Sequence, residues 1–64
     1  MVENKYIEWI KHHSAFISHK INDDCDIAKD IAGYCGMYKR CPDGMTLVLI
    51  EEKVKELQQK YNRY

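Results

Sequence analysis

The chain has 64 residues, too few for a deep active-site cleft of its own, and folding at this size buries only about 60% of the surface that the unfolded chain exposes. Ten Lys and Arg balance ten Asp and Glu, so the chain lacks the basic excess of a dedicated nucleic-acid binder. No apolar run approaches the roughly 18 residues needed to span a bilayer, and Val2 to Lys20 is interrupted too often for a signal sequence, which makes a soluble, cytoplasmic protein the default expectation.

The charge is spread unevenly. Residues 1–22 carry three Lys against two Glu, residues 23–30 four Asp against one Lys, and residues 31–64 six basic against four acidic side chains. These imbalances are small and suit a solvated surface. Three cysteines without a CxxC pair fit a reducing compartment better than a disulfide framework. The share of Lys, Asn, Ile and Tyr is that of an AT-rich genome, such as those of many bacterial viruses and mobile elements. A domain this small is marginal unless disulfides, a metal or association strengthen it, so oligomerisation starts with a raised expectation.

Along residues 3–21, Tyr6, Trp9, Ile10, His13, Phe16, Ile17 and Ile21 fall on one face of a helix, and no Gly or Pro interrupts them. The spacing predicts helix one over this range, with Trp9 and Phe16 as the largest core side chains. Asn22, Asp23 and Asp24 follow as a helix stop and as caps for the next helix. Ile27, Ala28, Ile31, Ala32 and Cys35 continue at helical spacing, predicting helix two over 24–35, with Gly33 or Gly36 as its terminator. Residues 36–44 have no clear period and read as an irregular loop, closed by a Pro42–Gly44 turn.

Helix three is predicted over 46–62, capped by Thr46. Leu47, Ile50, Val54, Leu57, Tyr61 and Tyr64 alternate at three and four, about two and a half heptads of apolar seam. Glu51 with Lys55 and Glu56 with Lys60 form i, i+4 pairs in the favourable order. Leu47 to Ile50 is apolar on all sides, which also admits a short strand over 45–50. The expected architecture is an all-α three-helix bundle in one domain, residues 1–64.

Three His and three Cys invite a metal, but their spacing argues against one. His12 and His19 stand about 10 Å apart along a helix axis, too far to share an ion with bonds near 2 Å. His13 faces the apolar stripe, where a half-buried structural histidine is the simpler reading. Cys35 and Cys41 are separated by an unfamiliar spacing, so a zinc-stabilised module stands third among the readings. Cysteine catalysis needs a base or positive surroundings. Cys41 beside Lys39 and Arg40 has the better setting, Cys25 among Asp23, Asp24 and Asp26 the worse, and nothing supplies an oxyanion hole. No enzyme and no cofactor is expected.

A helix-turn-helix is the second reading, with Lys39, Arg40, Lys53, Lys55, Lys60 and Arg63 as phosphate contacts, but the stretch after Gly33 is irregular and helix three opens without base-reading side chains. The first reading is a non-catalytic interaction module, a small regulator or inhibitor that binds a larger protein and self-associates, most simply as a dimer. Leu47 to Val54 is expected in the core, and Leu57, Tyr61 and Tyr64 are expected beyond it as the exposed interface. Tyr34, Tyr38 and Arg40 form a second candidate patch, being of types enriched at binding hot spots.

Overall fold

Asn4 opens the first helix. Its side-chain oxygen accepts the Tyr6 N–H at 2.8 Å, the usual bond of an N-cap, and its amide donates to Glu51 across the molecule at 2.9 Å. The computed structural model describes residues 4–64, so Glu3, the expected first residue of helix one, lies outside the described residues. Among those residues the chain is all-helical, with α1 at Lys5–His12, α2 at Ser14–Asn22, α3 at Asp26–Arg40 and α4 at Gly44–Tyr61. The all-α expectation holds, but the helices number four rather than three, and residues 45–50 are helix, not strand.

The additional helix arises because His13 divides the predicted helix one. Its backbone leaves helical geometry at φ −116° and ψ 25°. Its Nδ1–H donates to the Trp9 carbonyl at 2.8 Å, beside the backbone N–H, which reaches the same carbonyl at 3.0 Å. The same backbone N–H also reaches the Ile10 carbonyl at 3.2 Å, an i to i−3 bond that tightens the last turn of α1 as the helix ends. The His13 ring also stacks on Trp9, with centroids 4.2 Å apart. The break lets α1 pack on α4 while α2 packs on α3.

Asp24 makes the next turn. It adopts φ 67°, and the bonds Cys25 N–H to Lys20 O and Asp24 N–H to Ile21 O, both 3.0 Å, form a Schellman closure of α2. The expected Asp cap of the following helix is therefore not made; Cys25 is the N-cap of α3 and gives no side-chain bond. α4 ends in the same way, with Asn62 at φ 52° and Arg63 N–H bonded to Gln58 O at 2.9 Å.

Helix α3 runs through both glycines to Arg40, so the predicted loop 36–44 shrinks to residues 41–43. Neither Gly33 nor Gly36 has a positive φ, and both are exposed. Each costs about 1 kcal/mol relative to Ala in a helix. Continuous packing of Ala28, Ile31, Tyr34, Cys35 and Tyr38 against the core offsets that cost. The helix stops where Cys41, constrained by the following Pro42, turns extended at φ −144°. Asp43, not Thr46, then caps α4 by accepting the Met45 N–H at 3.2 Å, and Thr46 is buried.

The short turn makes α3 and α4 an antiparallel hairpin, the most extensive helix pair in the molecule. Its seam carries Ile31, Ile50, Val54 and Leu57, all fully buried, and Trp9, Ile17, Cys25 and Ala28 complete the core. Phe16, expected inside, is only half-buried, and Ile17 takes the inner position. Lys53 bridges the hairpin, 3.4 Å from Asp30 on α3 and 3.4 Å from Glu56 on its own helix. Among the described residues these contacts and the Asn4–Glu51 bond replace the expected Glu51–Lys55 and Glu56–Lys60 pairs.

Candidate protein-interaction surfaces

The six side chains expected at an interface do not form one surface. Leu57 is fully buried in the hairpin seam, so the expectation that the helix leaves the core at Leu57 is corrected. The cause is at the other end of α3: Cys25 at its start and Phe16 on α2 pack against the last turns of α4 and cover them. Tyr61 is half-buried, edge-on to Phe16 at 5.7 Å, and its hydroxyl donates to Cys25 Sγ at 3.8 Å. Only Tyr64 of that group stands open. Tyr34 and Tyr38 are half-buried against the core, while Arg40 is exposed at the end of α3.

A different set of side chains gathers at the hairpin turn. Met37 is 53% exposed, Met45 78%, Val48 51% and Leu49 39%, and together they are four of the five large apolar side chains that are exposed among the described residues. Met45, Val48 and Leu49 stand at i, i+3 and i+4, one face of α4, turned away from the Ile50–Val54–Leu57 seam. The Asp30–Lys53 bridge sets the register of the two antiparallel helices. Two turns towards the hairpin from that bridge, Met37 on α3 comes level with Thr46 on α4, beside Met45 and Leu49. The signal was present in the sequence: once Ile50, Val54 and Leu57 define the inner face, Met45 and Val48 must lie outside.

A shallow apolar groove of about 280 Å³ lies between α1 and the second half of α3. It exists because α1 packs on α4 and α2 but does not close on α3. Ile7, Ile10, Cys35 and Tyr38 line it, with Lys11 and Lys39 on its rim. Tyr38 of the expected loop patch therefore sits in a groove wall, on a helix. Burial pushes the Cys35 thiol up, against the opposing charge of Lys39, so it stays protonated at neutral pH.

Cys25 has the opposite setting. Burial pushes its thiol up, but the Ala28 N–H, the Tyr61 hydroxyl, the Ile27 N–H and the Lys60 charge together outweigh burial and leave it below its ordinary value. The same hydrogen bond to Cys25 is the main reason that the Tyr61 hydroxyl lies above its ordinary value. Cys25 is enclosed by the core, so this arrangement ties α4 to the start of α3 and offers no access to a substrate. All three cysteines are free thiols. His12 and His19 are exposed beside Glu8 and Asp23, at 3.7 and 3.9 Å. Among the described residues no three side chains of metal-ligating type come together, and no helix is long and apolar enough to cross a membrane.

In comparison with known proteins, no family model, no curated sequence and no solved structure matches the chain.

Proposed function

We infer that the protein is a non-catalytic interaction module, a small regulator that acts by covering a surface of another protein. One observation carries this reading: Met37, Met45, Val48 and Leu49 are gathered in the open at the α3–α4 turn of a domain that has few apolar side chains to spare. Scattered single apolar residues are ordinary on a surface, but a contiguous group in so small a chain forgoes burial that its own core would use. Methionine suits such a place, because its flexible side chain adapts to the shape of what it meets.

The test is affinity capture with the wild-type chain and with Met45→Glu/Val48→Glu. Both positions are exposed, so the variant is expected to keep the wild-type circular-dichroism spectrum and melting temperature while losing a captured protein. Identical capture by the two chains contradicts the reading.

A further inference from the structure

We propose that the apolar end is covered by a second copy of this chain, in a two-fold dimer that pairs the first turns of α4 antiparallel with the same turns of the other copy. The proposal rests on reading that end as an interaction surface, and it names the occupant.

Three features select a second copy. The first is area. The exposed parts of Met37, Met45, Val48 and Leu49 amount to roughly 400 Å² of apolar surface, the size at which a patch on a small protein marks an interaction site. A stable interface of ordinary size buries about 800 Å² on each side, a little over half of it apolar. The patch supplies most of that apolar share, so two copies meeting through it have the apolar centre of an interface of ordinary size.

The second feature is what stands at the centre. A two-fold axis brings each residue near it against its own copy, so a charged residue there would meet its like. Val48 and Leu49, the middle of the patch, carry no charge and no polar side-chain group. Neither side chain is needed inside the monomer, since Thr46, Ile50 and Val54 hold the inner face of α4.

The third is charge. Glu52 stands one turn beyond the centre along α4, and Arg40 stands on the other side, at the end of α3 beside the hairpin turn. Among the described residues neither enters an ion pair; the acidic Asp43 between them is held at the helix start, where it accepts the Met45 N–H. A two-fold axis perpendicular to α4 reverses the direction of the patch and lays Glu52 of each copy over the Arg40 end of the other. A parallel arrangement would set Glu52 against Glu52.

Sedimentation equilibrium across roughly 1 μM to 1 mM chain tests the dimer. The wild type is expected to show a reversible monomer–dimer equilibrium, and Val48→Glu to weaken it at least about tenfold with an unchanged circular-dichroism spectrum. Arg40→Glu and Glu52→Arg each weaken it several-fold, and the two together restore it, a recovery that a merely structural role for either residue does not produce. Tyr64→Ala leaves it unchanged. A single-chain mass at every concentration overturns the proposal, as does a dimer indifferent to Val48→Glu or one that the double charge exchange fails to restore. A monomeric wild type whose captured protein is still lost on Met45→Glu/Val48→Glu contradicts the dimer and leaves the interaction reading standing. A monomer without patch-dependent capture contradicts both.

Discussion

The ring of Phe16 meets the ring of Tyr61 edge-on, with centroids 5.7 Å apart and planes at 84°, and this contact fastens α2 to the last turn of α4. The charged groups around the pair reinforce it. Lys20 Nζ lies 4.4 Å from the centre of the Tyr61 ring and Arg63 Cζ lies 4.4 Å from that of Phe16, each in cation–π range. The far end of α4 is thus occupied by its own chain. Tyr61→Ala is expected to lower the thermal midpoint by several degrees, and Tyr61→Phe, which keeps the ring and loses only the bond to Cys25, by much less. Differential scanning calorimetry separates the two; equal effects would show that the hydroxyl, not the ring, does the fastening.

Leu57 and Tyr64, both expected at an interface from their shared stripe, are expected to respond oppositely. Leu57→Ala removes a fully buried side chain and costs about 2–5 kcal/mol. Tyr64→Ala, on an open side chain, changes stability by no more than about 0.5 kcal/mol. Urea denaturation measures both, and a small effect at Leu57 would place that residue outside the seam.

Gly33 and Gly36 lie inside α3 with nothing within 4 Å of an added Cβ and with no positive φ to protect. Gly36→Ala and Gly33→Ala are each expected to stabilise by about 0.5–1 kcal/mol. Chemical denaturation checks this, and destabilisation by either would mean that the glycine is needed for close approach of another surface.

These glycines also show what the sequence made legible. Helical periodicity gave the class, Ile50 and Val54 of the core stripe and the inner face of α3, because those features are local and repeat at a fixed spacing; it did not tell that Leu57 belongs to the core or that Leu47 stands at its margin. The extent of α3 was not legible, since two glycines are intrinsically stop signals and only packing along Tyr34, Cys35 and Tyr38 overrides them. Nor was the break at His13, where the side chain bonds back to the Trp9 carbonyl and the ring stacks on Trp9. The break moved the expected interface, because α2, set apart from α1, brings Phe16 onto Tyr61 and covers the end of α4. The open apolar side chains are instead those at the opposite end of the hairpin.

Asp24 carries the pH dependence that can be assigned. A hydrogen bond from Lys29, and then its charge, hold the Asp24 carboxyl below its ordinary value of 3.8. The folded state therefore favours the carboxylate, a contribution present above the unfolded value and lost as pH falls through the lower folded one. Both groups face solvent, so the effect is small and salt-sensitive. Asp24→Asn keeps a residue type that tolerates the left-handed backbone and removes the titrating group. Its stability is expected to fall less than that of the wild type between about pH 4 and pH 2 at low salt. Parallel acid limbs for the two chains would contradict the assignment.

The most direct measurement of the interaction surface is a dilution series followed by amide chemical shifts of the isotope-labelled chain. Concentration-dependent shifts confined to Met37, Arg40, Met45, Val48, Leu49 and Glu52 are the predicted result. Shifts clustered on Tyr61 to Tyr64, or spectra unchanged from micromolar to millimolar chain, would contradict it.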